Sequence, residues 1–156
     1  MALHENQGPT TGVTPHLTIL DRRGHEAVKF YKQAFAATEA MPPHLAGGVP
    51  GMAGGVPGMA EGDDRIMHAH LKVNGGSLML NDAFPEFTEG AADHQAIPAH
   101  TTLHLQVDDA DAWFDRAVAA GATVSMPLAD QFWGDRYGQL MDPFGHSWSI
   151  GGPAKA

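Results

Sequence analysis

The 156 residues have the length of one domain, and a composition of 43% hydrophobic and 17% charged residues suits a chain that buries a core. Acidic residues outnumber basic ones 18 to 9, giving a net charge of -9 with no Lys/Arg cluster to follow a phosphate backbone, so nucleic acid is not expected as a partner. No apolar run approaches the roughly 20 residues of a membrane span, the start lacks the basic-then-apolar order of a secretory signal, and the expected compartment is the cytoplasm.

The absence of cysteine removes disulfides, thiolate metal sites and cysteine nucleophiles, which leaves ten histidines and the carboxylates as the strong metal ligands. Residues 1–12 are polar and without period, and read as an arm. From Val13 the chain alternates, with Pro15, Leu17 and Ile19 on one face and Thr14, His16 and Thr18 on the other, which predicts a half-buried strand. Val28, Tyr31 and Phe35 then form a helical stripe within 24–36. Pro42-Pro43 ends regular structure, and a Gly/Pro/Met loop follows over 45–62, in which Ala46 to Met52 is repeated without change as Ala53 to Met59.

Arg65 to Val73 alternates again, placing His68 and His70 on the polar side, and Asn74-Gly75-Gly76 turns the chain into a second strand through Asn81. Residues 83–99 read as a linker. The order then restarts: a strand over 101–107, a helix capped by Asp109 and stopped by Gly121, a strand over 122–127, and a hairpin of 136–141 with 146–150 around Asp142-Pro143-Phe144-Gly145.

Thr14-Pro15-His16-Leu17-Thr18-Ile19-Leu20-Asp21 aligns with Thr102-Leu103-His104-Leu105-Gln106-Val107-Asp108-Asp109, so the chain contains two related modules. The expected fold is α+β: two βαβββ modules, about 13–82 and 100–151, forming a curved mixed sheet around a cup within one domain over 13–152, with a short tail over 153–156. The apolar strand faces meet the helices, and the polar faces line the cup.

Phe132-Trp133-Gly134-Asp135-Arg136-Tyr137-Gly138, followed by Asp142-Pro143-Phe144-Gly145-His146-Ser147-Trp148, resembles the PhnB-like branch of the vicinal oxygen chelate (glyoxalase, bleomycin resistance and dioxygenase) superfamily. Val28 to Phe35 and Ile66 to Ala69 fit that branch as well. The resemblance implies a cup-shaped site for a small molecule, commonly a homodimer, and one divalent metal held by His or Glu on the first and fourth strands of the modules. Carried onto this chain, those metal positions fall on Thr14, Thr102, Ser149 and either Met79 or Asn81, none of which is a strong ligand.

Histidines one strand-step away are the candidates for chemistry. His16 and His104 lie two residues beyond the metal positions and so keep the same face, and His68 stands on the polar face of a third strand. Thr14, Thr102, Asn81, Trp133, Arg136 and Tyr137 are the candidate ligand-binding residues, Arg136 because a guanidinium can orient a carboxylate or phosphate. Two readings stay open: an isomerase, lyase or transferase that uses a histidine base on an oxygen-bearing substrate, and a non-catalytic protein that binds an antibiotic or metabolite. A divalent metal would have to come through the histidines.

Overall fold

The structure is a computed structural model that describes residues 8–48, 55–87 and 101–155. The chain divides into two compact units, 1–28 with 37–92, and 29–36 with 93–156.

The first unit contains strands β1 (His16–Ile19), β2 (Thr38–Glu39), β3 (His44–Leu45), β4 (Ile66–Val73) and β5 (Gly76–Asp82), together with the start of helix α1 (Gly24–Phe35). Its sheet runs β1-β5-β4-β2, with β3 also paired to β4. The β1–β5 pair is parallel and the others are antiparallel. Leu17, Ile19, Leu71, Leu78 and Leu80 are buried, as period-two alternation requires of a face turned to the core.

Helix α1 begins where the backbone N–H of Gly24 donates to the buried carboxylate of Asp82 at 2.7 Å. The same carboxylate accepts from the Ile66 N–H at 2.7 Å, so one side chain ties the helix start to the start of β4. The helix stops at Ala36, whose φ of 52° is the left-handed conformation that commonly ends helices.

In the second unit β6 (Thr102–Gln106), α2 (Ala110–Ala120), β7 (Thr123–Asp130), β8 (Asp135–Met141) and β9 (Ser147–Pro153) form a sheet of order β6-β9-β8-β7. Again the first strand pairs in parallel with the last, and the other pairs are antiparallel. The two units therefore repeat one strand order, β1 matching β6, β5 matching β9 and β4 matching β8. Helix α2 is capped as expected: the Asp109 carboxylate accepts from the Ala112 N–H at 3.1 Å, and Gly121 stands at the end with φ of 121°. Its Phe114 lies so close to β8 that a Cβ on Gly138 would sit 2.7 Å from the ring.

The part of α1 belonging to this unit packs Tyr31 and Phe35 on Trp148, with ring centroids 5.6 and 4.6 Å apart. Beneath them lies Asp142, only 4% exposed. One oxygen of its carboxylate accepts from the Tyr31 hydroxyl at 2.6 Å and Trp148 Nε1 at 2.9 Å. The other accepts from the Phe144 and His146 N–H groups at 2.9 Å each. The Asp-Pro-Phe-Gly turn thus holds the aromatic core by its first side chain.

Several boundaries differ from the alternation pattern. β1 begins at His16 rather than Val13, which is fully exposed, so Thr14 and Pro15 lead into the strand. β7 runs on to Asp130 past Pro127, with irregular register against β8, and nearly all of it is exposed. That fits an edge strand with an irregular register, both of which tolerate proline. β3 follows Pro42-Pro43, where no regular structure was expected.

Of the repeated loop, 49–54 lie outside the described residues, as do 88–100 of the expected linker and 1–7 of the arm. The described ends of the loop are tied together: Val56 donates from its backbone to Ala46 at 2.9 Å, joining one copy of the repeat to the other. Among the described residues no helix is long and apolar enough to cross a membrane.

Candidate functional site

In the second unit, parallel pairing of β6 with β9 puts His104 beside Ser149, and antiparallel pairing puts Gln139 beside Ser149 and Tyr137 beside Gly151. Side chains alternate along each strand, so Thr102, His104, Gln106, Ser149, Tyr137 and Gln139 share the face opposite Trp148, Ile150 and Leu140. His104 stands in this polar face with both ring nitrogens engaged. Nδ1 meets Ser149 Oγ at 2.8 Å and Nε2 meets Gln106 Oε1 at 2.9 Å.

The amide oxygen of Gln106 can only accept, and its amide nitrogen is turned to donate to Asp135 at 3.4 Å. Nε2 of His104 therefore carries a hydrogen, and Nδ1 of the neutral ring is left to accept from the Ser149 hydroxyl. If Nδ1 takes up a proton, Ser149 turns from donor to acceptor and the ring stays where it is. A base held in place in both protonation states is suited to proton transfer.

Space for the ring comes from a glycine. A Cβ on Gly151 would lie 3.0 Å from His104 Cε1 and 3.3 Å from Gln106 Oε1. Tyr137 runs nearly parallel to the imidazole at 6.0 Å, its hydroxyl accepting from Gln139 Nε2 at 3.0 Å. Trp133 meets Tyr137 edge-on at 5.8 Å, and Phe132 meets Trp133 at 5.1 Å. Phe132 is 98% and Trp133 51% exposed, so a ladder of rings leads from solvent to His104. Thr102 lies at the start of β6, its hydroxyl 3.1 Å from that of Ser147.

Arg136 is not on this face. It precedes Tyr137 in the same strand and so points to the side of α2, where Nε donates to Asp111 at 2.8 Å and Nη1 to Asp130 at 3.1 Å. These bonds hold Asp111 below the usual carboxylate range, chiefly through the hydrogen bond from Arg136, and raise the guanidinium in turn. Its charge is matched there by two carboxylates, away from His104.

The first unit places histidines at the corresponding positions. His16 pairs with Met79 as His104 pairs with Ser149, and His70 pairs with Met79 as Gln139 pairs with Ser149. His68, two residues before His70, is thus the counterpart of Tyr137. The ring pairs agree: His16 and His68 have centroids 6.1 Å apart, His104 and Tyr137 6.0 Å. His44 on β3 joins them, opposite His68 in register and 6.5 Å from it. Burial, then the neighbouring His16, His44 and His70, hold His68 below the usual imidazole value. Asn81 donates from its amide to the Asp82 carbonyl at 2.7 Å, and Thr14 lies half-buried ahead of β1.

His44, Gln106 and Gln139 were not singled out by the sequence. Gln106 was within reach, standing two residues after His104 on an alternating strand. His44 had no local signal, since a two-residue strand has no period. The donor set at the metal positions does not fit a divalent ion: threonine and serine hydroxyls bind it weakly. Among the described residues no three His, Asp or Glu side chains are grouped to hold a metal.

Residues 14–150 match the model of the Glyoxalase/Bleomycin resistance protein/Dioxygenase superfamily. An uncharacterized protein of Mycobacterium tuberculosis is 41% identical over 160 residues, spanning 97% of this chain and 84% of the relative. The crystal structure of protein PA1353 from Pseudomonas aeruginosa superposes with a TM-score of 0.71 at 27% identity, covering 94% of this chain and 100% of the other. A putative 3-demethylubiquinone-9 3-methyltransferase, PhnB protein, from Bacillus cereus is similar in fold, with a TM-score of 0.64 at 19% identity over 91% of this chain and 99% of that one.

Proposed function

Since the chain belongs to the Glyoxalase/Bleomycin resistance protein/Dioxygenase superfamily, we propose that it binds a small oxygen-bearing molecule on its polar sheet faces and acts on it as an isomerase, lyase or transferase with His104 as the base. The observation that carries this reading is the chain Ser149–His104–Gln106–Asp135, which fixes the ring and its tautomer. A base must be aimed before it is useful, and two side chains bonded to one exposed imidazole, one of them held in turn by Asp135, serve that end. Tyr137, Trp133 and Thr102 are the ligand-binding residues beside it. His16 and His68 occupy the matching positions in the other unit, with Asn81 and Thr14 near them. A homodimer in the cytoplasm is the assembly and place this reading carries.

A second reading has its own support. Trp133 and Phe132 offer exposed aromatic surface beside Tyr137, and the metal positions lack strong ligands, which suits capture of an antibiotic or metabolite without chemistry.

One experiment separates the two. A panel of small hydroxy, keto and aromatic compounds is screened for thermal stabilisation, and each stabilising compound is incubated with protein and followed by NMR. Loss of a positioned base costs about 10²- to 10⁴-fold in rate. The expected result is turnover of a stabilising compound that falls at least a hundredfold in His104→Ala while binding falls far less. Turnover unaffected by His104→Ala would sink the base, and a compound bound without change would support capture.

A further inference from the structure

The polar face of the first unit has a composition unlike the rest of the chain. The sequence carries 18 acidic and 9 basic residues. Yet β1, β3 and β4 bring His16, His44, His68 and His70 to one face, and Lys72 joins them there, since Lys72 Nζ and His70 Nε2 both reach Ser77 Oγ at 2.9 Å. From β5 this face receives Ser77, Met79 and Asn81, none charged.

The carboxylates among the described residues of the unit are placed elsewhere. Asp82 lies in register with Ile19 on the buried side and holds Gly24 and Ile66. Asp63 and Glu86 are paired with Arg65, Asp64 with Arg22 and Glu26 with Arg23. Glu39 is in register with Leu71 and so belongs to the other face, while Asp21 and Glu61 lie outside the strands.

We propose that the imidazoles of His16, His44 and His68 form a binding site for a small oxyanion, a phosphate or carboxylate group, which they take up together with protons. The chemistry of the face selects the class of ligand: imidazoles and one ammonium, with no described carboxylate among them, suit an anion, and no group placed to hold a metal is found among the described residues. His16 and His44 each stand beside His68, with ring centroids 6.1 and 6.5 Å away, so the three rings can share one small ligand. Neutral imidazoles hold an anion weakly and protonated ones hold it strongly, so binding and proton uptake are one equilibrium. Burial first, and then the neighbouring His16, His44 and His70, hold His68 below the usual imidazole value, and a bound anion offsets the second of these.

The site rests on the reading above for the polar face of the first unit and deepens it by naming an anion there; His104 takes no part, so loss of anion binding and loss of His104-dependent turnover are separate outcomes. The test uses full-length protein with ¹³C-labelled histidine, titrated with inorganic phosphate, with acetate, with sodium chloride at matched ionic strength, and with zinc alone. The expected result is saturable movement of the His16, His44 and His68 Cε1–H signals with phosphate or acetate and not with chloride. Affinity is expected to be about tenfold tighter at pH 6 than at pH 8. His68→Gln and His44→Gln each weaken it about tenfold, whereas His25→Gln, a histidine bonded to the Asp64 carbonyl off this face, leaves it unchanged.

The relative strength of the phosphate and acetate arms assigns the ligand to phosphoryl or carboxylate compounds. Equal response to chloride, affinity independent of pH, or saturation of the three rings by zinc but not by either oxyanion would overturn the proposal.

Discussion

Asp142→Ala is expected to cost about 4 kcal/mol of folding stability, a large part of the roughly 5–15 kcal/mol typical of a domain. The carboxylate accepts four hydrogen bonds, and two of the donors, the Tyr31 hydroxyl and Trp148 Nε1, are buried among aromatic rings where water cannot replace it. Each buried donor left without a partner costs about 1–3 kcal/mol, and the two backbone donors of the exposed turn add less. Asp142→Asn keeps an acceptor for the turn but presents an amide to Trp148, so about half the loss is expected. Urea denaturation of both variants measures this, and a cost below about 1 kcal/mol for alanine would show the hub to be dispensable.

The same hub gives stability an alkaline limit. Burial, and then the neighbouring Asp142 carboxylate, raise the Tyr31 phenol well above its usual value. The unfolded phenol ionises near about pH 10. Its folded value is higher, so the stability it contributes is fully present below about pH 10 and falls as pH rises toward the folded value. Tyr31→Phe should remove that slope.

Gly24→Ala is expected to destabilise by about 3 kcal/mol, against the sign of helix propensity, which favours alanine by about 1 kcal/mol. Contact decides. A Cβ at Gly24 would fall 2.5 Å from Asp82 Oδ2 and 2.8 Å from Oδ1, so the carboxylate that receives the Gly24 and Ile66 N–H groups would be displaced from a fully buried place. Losing hydrogen bonds to a charged group and overpacking are each costs of about 1–3 kcal/mol. Gly76→Ala, where the nearest atom is 3.5 Å away, serves as the control and should be close to neutral. Equal effects at the two glycines in a thermal denaturation series would contradict the assigned role of Asp82.

The elements readable from the sequence were those with a period or a cap. β4, β5, α2 and the hairpin of β8 and β9 announce themselves by alternation, by Asp109 and Gly121, and by the Asp-Pro-Phe-Gly turn. The two copies of Thr-x-His-Leu revealed the repeated order that the sheets show. β2 and β3 are too short to have a pattern, and β3 brings His44 to His68. Arg136 follows the period of two, pointing to the opposite side from Tyr137, and its partners Asp111 and Asp130 had no local signal in the sequence. The partners of Asp142 and Asp82 were hidden because they lie up to 111 residues away along the chain. A turn aspartate reads locally as a turn, whatever else it holds.

His104 stands at the centre of the functional account, as an imidazole whose tautomer is set by Ser149 and Gln106. Long-range ¹H–¹⁵N NMR of the histidine rings measures this directly at a pH where the ring is neutral. The account predicts a single tautomer with the hydrogen on Nε2 and Nδ1 as acceptor, and loss of that fixed state in Gln106→Leu. A hydrogen on Nδ1, or a rapidly exchanging mixture in the unaltered protein, would contradict it.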